Sequence, residues 1–287
     1  MAMKKISFFK MSGAGNDFIL IDKNINPGFV PDQNVVKKIC NRRYGVGADG
    51  VITVFNSNSY DFEMEYFNAD GSTGSLCGNG ARCAVKYADL SGRIKHNTAE
   101  FLSNGVAYTG NVLSDKEIRV FFNSPQRLKY NFKIKASGQL INSSFVDTGS
   151  PHVVIKIEDV LKNQVNPKIF FEDLNNFPVY EIGKEIRYHK DFVLEGTNVN
   201  FISLKEGKIH IRTYERGVED ETLACGTGST AAALIGSSLF NLKPPVFLIT
   251  RGGDELVVDF KIENQNFKDL SLTGPASVTF TGEFVLN

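Results

Sequence analysis

Histidine and cysteine are scarce in this chain, four of each in 287 residues, and no two cysteines stand as C-x-x-C. A zinc site has little to draw on, and no metal is expected. Long apolar runs are also missing. The longest are strand-sized, such as Val246 to Ile249, so no segment reads as a membrane span and no membrane partner is expected. An excess of either charge is absent too, with 32 acidic and 32 basic side chains scattered along the chain. No basic stripe marks a nucleic-acid face. The N-terminal MAMKKISFFKM has lysines and a few apolar residues, but no apolar core or small-residue cleavage site of a signal peptide. A cytoplasmic protein with reduced thiols is expected. No lysine sits in a recognisable pyridoxal motif, so no cofactor is expected.

What is present supports well-filled cores. The length allows two domains, and 42% of residues are apolar, with many Phe and Ile. Strands are expected at Lys4–Met11, Asp17–Asp22, 51–55, 61–67, 99–102, 106–112 and 117–122, with helices at Gln33–Arg42 and Asn79–Leu90. The second half repeats the style, with strands at 144–147, 152–157, 198–204, 208–214, 246–250, 255–260 and 276–281 and a helix at 226–238. Alternation within several strands points to mainly antiparallel sheets with one helix covered in each half. The polar, proline-bearing stretch Asn123–Lys135 reads as a boundary.

One turn occurs twice. Ser75-Leu76-Cys77-Gly78-Asn79-Gly80 precedes a helix of small residues, and Leu223-Ala224-Cys225-Gly226-Thr227-Gly228 precedes another. Two related domains, each giving one C-G-x-G turn, would face each other across a cleft. A cysteine just ahead of a helix meets backbone N–H groups without intrahelical partners and the positive end of the helix dipole. That setting brings a thiol from about 8.5 into a range of roughly 3.5–7.5 and makes thiolate available. The glycines let backbone approach a ligand closely, and the same N–H groups suit a carboxylate. Two such turns offer a base and an acid for opposite faces of one carbon, which fits inversion at a stereocentre. Water exclusion and two dipoles aimed at a carboxylate would stabilise the charge that develops there.

A plainer account exists for each residue. One cysteine before a small-residue helix is usually a packing residue, since free cysteine is often buried. Cys83, on the helix, and Cys40, on an amphipathic helix, are expected in the core. The matched pair of turns is what lifts Cys77 and Cys225 above that default.

Further segments stand in order around these turns: K-M-S-G-A-G-N-D-F (Lys10 to Phe18), R-R-Y-G-V-G-A-D-G, F-N-A-D-G-S (Phe67 to Ser72), C-G-N-G-A-R-C, G-S-P-H (Gly149 to His152), G-T-N-V-N-F and Y-E-R-G-V-E-D-E-T-L-A-C-G-T-G. The set resembles the diaminopimelate epimerase family along nearly the whole chain. The resemblance implies an α/β fold of two pseudo-symmetric domains. Each is a curved, mainly antiparallel sheet wrapped around a central helix, with the active site in the cleft between them. It places an N-terminal domain at 1–125 plus 275–287 and a C-terminal domain at 126–274. It implies cofactor-independent interconversion of LL- and meso-2,6-diaminoheptanedioate, a step toward lysine and peptidoglycan, by a homodimer. Cys77 and Cys225 match the catalytic pair, with Cys225 the proton acceptor and Cys77 the donor from LL to meso.

The same resemblance assigns Gly78, Asn79, Gly226 and Thr227 to the carboxylate cradle and Asn16 to the reacting amino end. Asn68, Asn198, Glu215 and Arg216 match residues that read the distant end of the substrate. That agrees with chemistry, since Arg216 can grip a carboxylate and Glu215 an ammonium. His152 and Glu215 match groups that tune the thiols. By default an isolated Glu-Arg is a solvated surface pair, Asn16 and Asn68 shape turns, and His152 is a hydrogen-bonded structural histidine. Asp49 and Asp70, inside glycine turns, are expected to be structural.

Two positions depart from the common family pattern. Gly50 stands where many members carry a substrate-contacting Gln, and Ser150 where many have Asn before Pro-His. Both bear on binding rather than on the cysteines. A proline or hydroxyproline racemase would share the paired cysteines, but proline has no second amino-acid end for Asn198, Glu215 and Arg216. A non-catalytic amino-acid-binding protein would need no thiols.

Overall fold

The computed structural model describes residues 4–74, 76–162, 169–264 and 266–286. Ser75, quoted with the first turn, and Met1–Met3 and Asn287, at the ends of the expected first domain, lie outside them. The chain divides into two compact units, one of Met1–Phe121 with Thr273–Asn287 and one of Phe122–Leu272.

The first unit begins with strands β1 (Lys4–Gly13) and β2 (Asn16–Asp22), which pair antiparallel. Their two-residue turn holds Ala14 and Gly15 at φ 55° and 80°, the left-handed geometry that suits a tight hairpin. Helix α1 (Gln33–Cys40) is capped by the Asp32 carboxylate, which accepts from the N–H groups of Asn34 and Val35. It ends two residues short of the expected Arg42, because Asn41 already turns extended at ψ 120°. Then follow β3 (Gly50–Phe55), β4 (Phe62–Asn68), α2 (Gly78–Leu90), β5 (Thr98–Ser103), β6 (Val106–Val112) and β7 (Glu117–Phe121).

The second unit runs β8 (Gln126–Ala136), β9 (Gln139–Asp147), β10 (Pro151–Lys156), α3 (Val179–Arg187), β11 (Asn198–Lys205), β12 (Lys208–Glu215), β13 (Asp220–Thr222), α4 (Gly226–Leu239), β14 (Val246–Ile249) and β15 (Glu255–Glu263). After β16 (Asn266–Pro275), the last strand, β17 (Ser277–Leu286), pairs antiparallel with β1.

Both units follow one plan. Most neighbouring strands are antiparallel, but β2·β3, β4·β5, β10·β11 and β12·β14 run parallel. A parallel pair needs a crossover, and each of these four has an α-helix between its strands. Strand alternation then sorts the helices by face. Val51 shares a core cluster with Val36 and Ile39 of α1, whereas the next residue, Ile52, reaches toward Gly80 of α2. In the second unit Val199, Phe201 and Tyr214 pack with Ile182 and Ile186 of α3. The intervening Asn200 therefore faces α4.

The helices α2 and α4 are buried on every side, from Gly78 to Ala88 and from Gly226 to Ser237. Small residues allow this, since α4 is almost entirely Gly, Ser, Thr and Ala with Leu and Ile. The expected mixed fold, mainly antiparallel sheet around a central helix in each half, is what the two units contain. Several elements lie outside the expectations, the strands β13 and β16 among them. The stretch 123–135, read as a boundary, is mostly β8, and α3 fills a region where none was expected.

Candidate active site

The two C-G-x-G turns fold alike. Cys77 is the N-cap of α2, in extended conformation, and its sulfur accepts from the Gly80 N–H at 3.5 Å. Cys225 caps α4 in the same way, accepting from the Gly228 N–H at 3.3 Å. Each sulfur thus takes the place that a Ser or Asp oxygen fills at an ordinary N-cap. Burial pushes both the Cys40 and the Cys83 thiol up to about 12. They belong to the core, as expected.

In the first unit a chain of amides leads to Cys77. Arg82 is fully buried on α2, and its guanidinium, which can only donate, reaches Asn79 Oδ1 at 2.9 Å. Asn79 Nδ2 is then turned toward Asn16 Oδ1 at 3.3 Å. Asn16 in turn donates to the Asp49 carboxylate at 2.6 Å. Asn16 Oδ1 accepts from the Cys77 thiol at 3.7 Å. Gly13 permits this assembly, because a Cβ there would lie 2.8 Å from the Asn79 carbonyl oxygen. Asp49 is therefore more than a turn former, since it orients Asn16. Asn68, at the end of β4, is held by the neighbouring turn and donates to Ser72 Oγ at 3.0 Å. Asp70 closes that turn by accepting from the Ser72 N–H at 2.8 Å, which is a structural role.

In the second unit the polar residues come from the α4-facing side of the sheet. His152 is fully buried, and its Nε2 lies 2.9 Å from Ser150 Oγ and 3.0 Å from Thr227 Oγ1. Thr227 Oγ1 is 3.6 Å from the Cys225 sulfur. Burial, aided by the charge of Arg216, lowers His152 to about 3, so the ring is neutral. Asn198 sits beside His152 in register, donates to the Pro151 carbonyl at 3.0 Å and accepts from the Arg216 N–H at 2.9 Å. Glu215, last in β12, accepts from Thr222 at 2.7 Å, and the Arg216 guanidinium rests on the Glu195 carbonyl at 2.6 Å. Burial and the nearby Arg187 charge lower Arg216 from its ordinary value.

Both departures from the family pattern have a local cause. A Cβ at Gly50 would lie 2.6 Å from Tyr66 Cε2 and from the Phe67 carbonyl, so the Tyr66 ring occupies the room a longer side chain would need. Ser150 is buried and spends its hydroxyl on His152 and Thr227. Asn200 was absent from the expected site. It bonds His152 Nδ1 at 3.1 Å, and its position two residues after Asn198 on one strand was the signal. Among the described residues, no group of three or more His, Cys, Asp or Glu is arranged to hold a metal, and no helix is long and apolar enough to cross a membrane.

The family model described as diaminopimelate epimerase matches residues 8–121 and 144–279. The diaminopimelate epimerase of Aquifex aeolicus is 37% identical, over 96% of this chain and 97% of its own length. That of Chlorobaculum tepidum is 38% identical, over 96% of this chain and 100% of its own. Among solved structures, a probable proline racemase from Agrobacterium radiobacter shares the fold with a TM-score of 0.73 at 12% identity, covering 98% of this chain and 93% of that one. A Bacillus anthracis phenazine biosynthesis protein of the PhzF family does so with a TM-score of 0.71 at 14% identity, covering 99% of this chain and 100% of that one.

Proposed function

Because the chain belongs to the diaminopimelate epimerase family, we propose that it interconverts LL- and meso-2,6-diaminoheptanedioate by two-base proton transfer through Cys77 and Cys225. The observation that carries this reading is the pair of cysteine N-caps, one in each repeat of the same plan. One thiolate takes the α-proton and becomes a thiol. The other thiol gives its proton to the opposite face and becomes a thiolate. The cysteine pair carries one negative charge before and after, only moved from one sulfur to the other, and no cofactor is called for.

The surroundings of the two sulfurs support unequal resting roles. Asn16 Oδ1 can only accept, so it favours a protonated Cys77. Each sulfur also accepts one helix N–H, from Gly80 or Gly228, so the difference lies in the other partner: Thr227 carries a hydroxyl that can donate to Cys225 and favours a thiolate there. That polarity fits Cys225 as acceptor and Cys77 as donor from LL to meso. Gly78, Asn79, Gly226 and Thr227 hold the reacting carboxylate in this reading, with Asn16 near the reacting amino group. Asn68, Asn198, Glu215 and Arg216 read the distant end. His152 and Glu215 tune the thiols. Gly78 and Gly226, the first residues of the buried helices, leave their turns without side chains.

We extend the reading to a cytoplasmic homodimer acting in lysine and peptidoglycan precursor synthesis, on the strength of the family. Incubation of the purified protein with LL-diaminopimelate, with no added cofactor, should yield the meso isomer on a chiral column. No meso isomer, or racemisation of L-proline in its place, would contradict the proposal.

A further inference from the structure

Asn200 lies outside the residues that the family pattern supplied, yet every polar atom of its side chain is committed. Its Nδ2 is 2.9 Å from the Val153 carbonyl oxygen and 3.1 Å from His152 Nδ1, and its Oδ1 accepts from Thr213 Oγ1 at 3.0 Å. A backbone carbonyl can only accept, so Val153 fixes which way the amide points. Turned round, the amide would set its oxygen against the Val153 carbonyl oxygen, two acceptors facing each other in a buried site.

The consequence passes to His152. An amide N–H faces Nδ1, so Nδ1 must accept, and the one ring proton of the neutral imidazole resides on Nε2. Nε2–H then donates toward Ser150 Oγ and Thr227 Oγ1 and can accept from neither. Thr227 Oγ1 receives from His152 and, at 3.2 Å, from Ser150. Its own proton is left for the Cys225 sulfur at 3.6 Å.

The glycine at the fourth position of C-G-T-G takes part in this. A Cβ at Gly228 would lie 2.5 Å from Asn200 Oδ1, so the bare backbone leaves the space that Asn200 occupies. The same Gly228 N–H donates to the Cys225 sulfur.

Building on the epimerase reading, we propose that Asn200 is a positioning residue that holds His152 as its Nε2–H tautomer and so directs the Thr227 hydroxyl proton onto the Cys225 sulfur. It acts through His152 and Thr227. The opposite tautomer would make Nε2 an acceptor, draw the Thr227 proton to the ring and remove one of the donors that favour the Cys225 thiolate.

Nitrogen-15 NMR of the histidine-labelled full chain tests the first half directly. At neutral pH the His152 signals should show a protonated Nε2 and a bare Nδ1. An Nδ1–H ring or an imidazolium would overturn the proposal. The second half is read from Cys225 alkylation by iodoacetamide at pH 7, mapped by peptide mass in a Cys77→Ser background. Asn200→Asp presents acceptors to Nδ1 and should place the ring proton there. It should slow alkylation at least about tenfold, the usual worth of one hydrogen bond to a charged group. In the otherwise native protein the same change should lower kcat by a similar factor, with KM within about twofold.

Should Asn200→Asp fail to fold, the native NMR spectrum still decides the tautomer, and the Thr227 pair decides the rest. Thr227→Ser should keep the alkylation rate, and Thr227→Val should slow it. Equal rates in Ser and Val variants, or an unchanged rate in Asn200→Asp, would overturn the proposal. Tautomer and alkylation are read without turnover. A chain that fails to epimerise but shows both signatures refutes the activity alone, whereas an active enzyme with an Nδ1–H ring refutes the role of Asn200 alone.

Discussion

Cys77 and Cys225 are N-caps of equivalent helices, but their sulfurs meet opposite partners: the carbonyl oxygen of Asn16 at 3.7 Å for one, the hydroxyl of Thr227 at 3.6 Å for the other. The repeat makes the two turns alike, and the side chains around them make the two thiols differ. That difference is what a base and an acid require, since proton transfer is efficient only when each begins in its proper protonation state.

The first prediction concerns the thiols. Serine is itself a good N-cap, so Cys77→Ser and Cys225→Ser should keep α2 and α4 capped and leave thermal unfolding nearly unchanged. Each should lower kcat at least about a hundredfold, within the usual worth of a positioned acid or base. Cys40→Ala and Cys83→Ala should stay active, apart from a stability cost. An inactive Cys83→Ala beside an active Cys77→Ser would show that the site has been assigned to the wrong cysteine.

Asn16 provides a second test. Asn16→Ala removes the acceptor for the Cys77 thiol and leaves Asn79 Nδ2 and the Asp49 carboxylate each short of a partner. Stability should fall by about 1–3 kcal/mol, the usual cost of losing buried hydrogen bonds on one side only. The rate should fall at least about tenfold beyond what unfolding explains, measured at a temperature where the variant is fully folded. An unchanged kcat in folded protein would remove Asn16 from the site.

Acid sensitivity follows from His152. Its folded pKa, lowered by burial to about 3, lies below the ordinary 6.5, so between those values the unfolded chain binds a proton that the folded chain refuses. Stability should therefore fall as pH drops below about 6, by on the order of 1.4 kcal/mol per pH unit from this group. Urea unfolding of His152→Gln between pH 6 and 4 should show a slope shallower by about one proton. Equal slopes in the two proteins would mean that His152 titrates normally.

Much of this was legible in the chain because the site is carried by local patterns. A C-G-x-G turn before a run of small residues predicts a capped, buried helix, and it does so twice. Alternation also places residues that the motifs leave out. In G-T-N-V-N-F, Val199 and Phe201 go to one core, which sends Asn198 and Asn200 together to the other face. Leu128, Tyr130, Phe132, Ile134 and Ala136 alternate just as well along β8, but the lysines between them and the preceding proline made the stretch look like a linker. Helix α3 is nine residues long and shows only Val179, Ile182, Gly183 and Ile186 to the core, too brief a pattern to stand out. The polarity of the two thiols could not be read from the sequence at all. It depends on which atom of Asn16 or Asn200 faces a neighbour, and that is fixed by Arg82 and by the Val153 carbonyl, distant in the chain.

The central claim is proton transfer by two groups on opposite faces of one carbon, and heavy water tests it most directly. The protein is given LL-diaminopimelate in deuterium oxide and stopped after a few per cent conversion. With two thiols, each inverting turnover delivers a solvent-derived deuteron from the thiol opposite the base, while the abstracting thiol holds the substrate's own hydrogen. Early meso product should carry deuterium at one α-carbon only, and recovered LL substrate should carry almost none. Deuterium appearing early in both substrate and product would show that one group removes and returns the proton, and would contradict the account.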